Sequence, residues 1–227
     1  MSGRDRPSAA GRRAFLRGAA ALSSAAAFAR LGEALAAGTV ELGVHSVKGE
    51  AFVNGIGARQ GTIVRPGDAI RTGGNGELVF VLGRDAFLVR PDSRLQFTDI
   101  AVAGVTTVFR ITTGAVLSVF ERGPRKRIEA PTATMGIRGT ALYVEATPER
   151  TYVCTCYGSV EITPYDDPGA AETVTTSYHD APRFVYRTGA AQMMTPAPVF
   201  NHTDAELILL EALQGREPPF GNRPVRY

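Results

Sequence analysis

Tryptophan is absent, and in 227 residues histidine occurs three times and cysteine twice. So few thiols exclude a disulfide-stapled scaffold, which needs several bridges to replace a core. There is no phosphate loop, dinucleotide fingerprint, HExxH or GxSxG, so the commonest nucleotide, metalloprotease and hydrolase chemistries have no foothold. Low-complexity segments and long charge runs are missing too. After residue 37 no stretch is apolar for the roughly 20 residues that a membrane helix needs. A general basic character is also lacking. The formal charge is +3, but residues 1–36 hold six arginines against Asp5 and Glu33, a net of +4, which leaves −1 for the rest. That balance carries no whole-chain signature for nucleic acid.

What the first residues do hold is an address. Arg4, Arg6, Arg12, Arg13 and Arg17 precede an alanine-rich apolar run, Gly18 to Ala29, and then Ala34-Leu35-Ala36. A basic start, a short apolar run and a small-residue cleavage site predict a secretory signal over residues 1–37. Arg12-Arg13-Ala14-Phe15-Leu16-Arg17 resembles the twin-arginine export signal, a receptor-read address and not an anchor. The resemblance implies a periplasmic protein exported already folded. Some cargo of that route folds around a cofactor, so a zinc, copper or iron ion is a candidate, with none as the default. The local run Arg122-Gly-Pro-Arg-Lys-Arg127 reads as a solvated turn between strands.

The remaining residues are enough for one good core. Glu77–Leu82, Ala86–Val89, Val105–Thr112, Ala115–Phe120 and Ala141–Glu145 are short and rich in β-branched and aromatic residues. Gly and Pro clusters such as Arg65-Pro-Gly-Asp68 and Gly73-Gly-Asn-Gly76 separate them. The expected fold is all-β, a sandwich or roll of short antiparallel strands. Near the end, Thr203 and Glu206 fit a capping box opening a helix over 204–214, which Gly215 and Pro218-Pro219 stop. Its apolar girth predicts that it docks on the β body.

The order of several small motifs resembles the FecR domain, the periplasmic module of sigma-factor regulators linked to iron uptake. Gly67-Asp68-Ala-Ile-Arg-Thr72 and Pro91-Asp-Ser-Arg-Leu95 match its opening turns. Gly114 and Val116 match a later strand. Pro131-Thr-Ala133 with Gly136-Ile-Arg138-Gly139-Thr140 matches its most diagnostic stretch, and Gly158 with Val160 its closing hairpin. The resemblance implies a FecR-like β domain over 38–165, followed by an extension over 166–227 that the family pattern does not cover. It implies a non-catalytic sensing or docking module, with an envelope protein or small ligand as partner. Such regulators usually carry an anti-sigma segment and a membrane helix before this domain, where this chain has a signal, so regulation of a sigma factor is not implied. For Arg138, bracketed by two glycines, the expected role is structural, pinning carbonyls or a carboxylate inside the β body.

Both cysteines lie in Thr151-Tyr-Val-Cys154-Thr-Cys156-Tyr-Gly158. In a strand, residues i and i+2 share a face at about 6.6 Å, whereas a disulfide wants Cβ atoms about 3.5–4.5 Å apart. An intrachain bridge would be strained. Two thiolates on one face can converge on a soft ion. His179 could reach them by strand pairing and His202 by docking of the helix, giving a candidate set Cys154, Cys156, His179 and His202, though without finger spacing. Four readings remain open at this level: buried free thiols packed as small hydrophobes, metal or haem-type coordination, a strained or intermolecular disulfide, and a catalytic thiol. The last needs an oriented base beside it, and no arrangement in the sequence advertises one.

Overall fold

The structure is a computed structural model that describes residues 42–98, 101–102, 105–187 and 192–221. The signal expected over 1–37 lies outside these residues. The chain runs through β1 (Gly43–Lys48), β2 (Ala51–Val53), β3 (Ile56–Gly57), β4 (Ala69–Thr72), β5 (Glu77–Leu82) and β6 (Asp85–Val89). It continues through β7 (Arg94–Phe97), β8 (Ala101–Val102), β9 (Val105–Val119), β10 (Arg125–Glu129), β11 (Ala133–Ile137) and β12 (Ala141–Ala146). Then come β13 (Arg150–Pro164), β14 (Glu172–Thr176), β15 (Arg183–Tyr186), β16 (Met194–Pro196) and the helix α1 (Asp204–Ala212). The fold is all-β with one short C-terminal helix.

Two sheets face each other. The first runs β1-β5-β6-β9-β12-β13-β15-β16. The second runs β3-β2-β4-β7-β9-β10-β11-β13-β14, with β8 also on β9. All pairs are antiparallel except β9 with β10. Strands β9 and β13 serve both sheets. Each bends from one to the other at a glycine, Gly114 at φ +89° and Gly158 at φ +93°. A side chain at Gly114 would run into Ser93, and one at Gly158 into Thr140. These two positions require glycine on both conformational and packing grounds. Thr140 reinforces the second corner by donating its hydroxyl to the Tyr157 carbonyl.

Here the structure departs from the sequence reading. Val105–Thr112 and Ala115–Phe120 are halves of one bent strand, and Gly158 is a corner within a strand, where a hairpin turn was expected. A single left-handed residue redirects a strand without reversing it when both neighbours stay paired.

Between the sheets lies an aromatic core. Phe80 and Phe87 of the first sheet stack at 5.1 Å. Phe97 of the second meets them edge-on at 5.5 and 5.2 Å, within the range where aromatic pairs add to simple burial. The turn motif does local work: Gly67 sits at φ +92°. Asp68 accepts hydrogen bonds from Asn54 Nδ2 and the Arg65 amide, both at 2.7 Å. Buried Thr72 donates to the Arg90 carbonyl and accepts from the Ser93 amide.

The first sheet is buried on both faces. Alternation along β12 and β13 sends Leu142, Val144 and Val153 inward to the aromatic core, and Tyr143, Cys154 and Cys156 to the other side. The C-terminal extension covers that outer face. Thr203 and Glu206 form the expected capping box, and α1 packs on β6 and β9 through Leu207 and Leu210, both fully buried. Arg90 fastens the helix start by bonding Glu206 and the Asn201 carbonyl. At the far end, Tyr157 donates to Glu211, which also pairs with Arg216.

A candidate metal centre beneath the C-terminal extension

Cys154 and Cys156 point from β13 into the layer between the first sheet and the extension. Both are free thiols with no exposed surface. His179 comes from the loop after β14. Its backbone holds φ +50°, a left-handed conformation that histidine visits more readily than most residues. The turn is pinned by Thr176, whose Oγ1 accepts from the Tyr178 and Asp180 amides. The His179 amide donates to the Cys156 carbonyl at 3.0 Å, which ties the loop to β13. His202 follows Asn201, another left-handed residue, at φ +60°. Its ring stacks on Tyr143 at 4.7 Å. All four residues of the sequence-derived set thus meet, with their ligand atoms within 4.8 Å of one another.

The polar contacts around the two imidazoles bear on their tautomers. His202 Nδ1 lies 2.8 Å from the Phe200 carbonyl, which can only accept, so Nδ1 carries the proton and Nε2 presents a lone pair. His179 Nε2 faces Asp204 Oδ1 at 3.3 Å, an approach that favours the proton on Nε2 and the lone pair on Nδ1. Asp204 is itself held by the Tyr178 hydroxyl at 2.6 Å. The two lone pairs then face each other: His202 Nε2 is 3.1 Å from His179 Nδ1. Cys154 Sγ is 3.4 Å from the same Nδ1. Two acceptors at that distance in a buried layer repel unless a cation or a proton lies between them.

These distances suit zinc. A tetrahedral ion with Zn–N of about 2.0–2.1 Å and Zn–S of about 2.3 Å has edges of about 3.3 Å for N···N and about 3.5 Å for S···N. The observed 3.1 and 3.4 Å are close to both. All four ligand atoms lie within 4.8 Å of one another, and the S···S edge of such a site would be about 3.8 Å. The thiols are electronically unequal. Hydrogen bonding from Cys156 pulls the Cys154 thiol well below its ordinary value against the effect of burial. Burial pushes Cys156 well above its own. Cys154 is therefore the readier of the two to lose its proton, and a cation bound here would release protons from the pair.

Sequence reading missed the supporting shell. Asp204 reads as an acidic residue in the first turn of a capped helix, and Tyr178 as part of a turn. Only the fold turns them toward His179. The one available signal is proximity in sequence: Tyr178 precedes His179, and Asp204 is two residues from His202.

The family-motif residues lie elsewhere. Gly67, Asp68 and Thr72 build the β4 turn, and Gly139, Thr140 and Gly158 build the β13 corner. Gly136 lies on the outer face of the second sheet. Arg138 is exposed, not buried as expected, because the bend after β11 turns it to solvent. The solvated-turn reading of Arg122–Arg127 holds for Arg122 to Pro124 alone, since Arg125 opens β10.

No protein-family model matches the sequence, and no curated protein matches it. Two crystal structures described as those of candidate anti-sigma factors from Parabacteroides distasonis share part of the arrangement. One is 13% identical with a TM-score of 0.47, over 57% of this chain and 58% of its own. The other is 14% identical with a TM-score of 0.47, over 62% and 70%. The alignment spans less than two thirds of the first of these proteins.

Proposed function

We propose that this chain is an exported, non-catalytic binding module whose C-terminal extension is locked onto its β body by a structural zinc ion. Cys154, Cys156, His179 and His202 are the ligands. The observation that carries this reading is the facing pair of imidazole nitrogens, His179 Nδ1 and His202 Nε2, with two buried thiols beside them. Two sulfurs and two nitrogens within 4.8 Å of one another favour zinc among the common ions. Four protein ligands leave no position for water or substrate, which is the pattern of structural and not catalytic sites.

Asp204 and Tyr178 supply the outer support that metal-bound histidines ordinarily have. The FecR-like motif order and the export signal supply the rest of the reading: a periplasmic module that engages an envelope partner.

The deciding experiment is metal analysis by mass spectrometry on protein exported from its host, with thiols counted before and after denaturation. One equivalent of zinc with thiols reactive only after chelation is the expected result. Metal-free protein with two thiols reactive on unfolding and a melting temperature indifferent to chelators would overturn it.

A further inference from the structure

The outer face of the second sheet carries a groove of about 560 Å³ across β10, β11, β13 and β14. Its walls follow from strand alternation. Ile128 points into the core and Lys126 reaches Asp85 at 2.5 Å, so Arg125 and Arg127 face outward. Arg138 joins them from the bend after β11. None of these three arginines ends in an ion pair among the described residues, whereas Arg110, on the same sheet, is neutralised by Glu129. Glu161 is the one acid lining the groove. Three arginines against one glutamate leave a local charge of +2, on a body whose residues after 36 sum to −1.

The floor is a glycine that the fold does not require. Gly136 pairs with Arg127 on one side and Glu161 on the other. Its φ is not positive, and a Cβ there would meet its nearest atom at 3.6 Å, an ordinary contact. Glycine within a strand is destabilising relative to alanine. At Gly114 and Gly158 packing explains that cost. At Gly136 nothing on the protein side does, and the consequence of the missing side chain is an open channel between guanidinium groups.

We propose that this groove docks an extended acidic segment of a partner protein. Arg127 and its neighbours would take carboxylates in the planar two-pronged geometry that guanidinium favours. Thr134 and Thr163 offer hydroxyls to the segment's backbone. Glu161 at the floor disfavours a continuous polyanion and selects a segment in which acids flank a hydrogen-bond donor. The proposal deepens the binding-module reading by naming the partner's chemistry, and it uses none of the metal ligands.

The test is selection of a random heptapeptide display library on the purified chain. Peptides enriched in Asp and Glu are expected. A synthesised winner should lose on the order of ten-fold or more in affinity with Arg127→Glu, and comparably with Gly136→Leu, which fills the floor. Arg110→Gln, outside the groove, should leave affinity unchanged. Melting temperatures of the variants check that each is folded. Winners without acid enrichment, or an affinity indifferent to Arg127→Glu and Gly136→Leu, would overturn the proposal. So would Arg127-dependent binding of inorganic polyphosphate or phosphatidylglycerol vesicles with no acidic peptide selected, since the groove would then serve a polymer or lipid surface. A metal-free but folded preparation that still binds the peptide separates this proposal from the fate of the metal centre.

Discussion

His202 Nε2 lies 3.1 Å from His179 Nδ1, while His202 Nδ1 lies 2.8 Å from the Phe200 carbonyl and His179 Nε2 3.3 Å from Asp204 Oδ1. The pair comes from two loops that share no strand, one after β14 and one before α1. Their convergence on the same two cysteines gives the outer layer of the protein a centre.

Metal removal should loosen that layer first. With ion present at about 100–1,000 times its dissociation constant, binding contributes on the order of 3–4 kcal/mol of stability. Chelation should lower the melting temperature accordingly. Cys154→Ser and His202→Ala should abolish both metal uptake and the response to chelator, as calorimetry with and without zinc would read.

Asp204→Asn should weaken metal binding without unwinding α1. The helix start is capped by Thr203 and Glu206, so circular dichroism should be unchanged. Losing the carboxylate that orients His179 should reduce affinity roughly 10–100-fold, measured by competition with a chromophoric chelator.

Gly158→Ala should be far more damaging than Gly136→Ala. The first meets Thr140 at 2.5 Å in a left-handed conformation, and strain of that kind alone costs on the order of 1–3 kcal/mol before the overlap is counted. The second should be neutral or slightly stabilising. Urea unfolding of the two variants side by side checks the contrast.

Acid should cost the protein a little through Glu172. Hydrogen bonds from Arg183, at 2.5 and 2.9 Å, hold its carboxyl below the usual range. Its contribution is present above the unfolded value, about 4.3, and fades as pH falls through the lower folded value. The pair is partly exposed, so the whole effect is under about 1 kcal/mol. Glu172→Gln should flatten the stability profile below pH 5 by that amount and leave pH 7 nearly unchanged apart from the lost pair.

Strands such as β5 and β12 are legible because short runs rich in β-branched and aromatic residues lie between turns that glycine and proline mark. The helix is legible from Thr203 and Glu206. The corners are not: Gly114 and Gly158 look like turn residues, and only pairing on both sides shows that the strand continues. The cluster of Cys154, Cys156, His179 and His202 is legible because two cysteines at i and i+2 fix a face, and histidines are scarce enough to be enumerated. Asp204 was hidden by its ordinary place in a helix start. Arg138 was misread because two flanking glycines suggest a tight buried bend, whereas they free the side chain to leave the surface.

The four proposed ligands span positions 154 to 202, and β14, β15 and β16 lie between the cysteines and His202. A chain in which β13 has formed but the extension has not yet docked offers only two thiols on one strand, too few donors for a closed site. High-affinity capture therefore waits until the long-range contacts are made. Time-resolved metal uptake during refolding would lag behind sheet formation, and occupancy in a preparation would count the molecules that reached the end of the folding pathway.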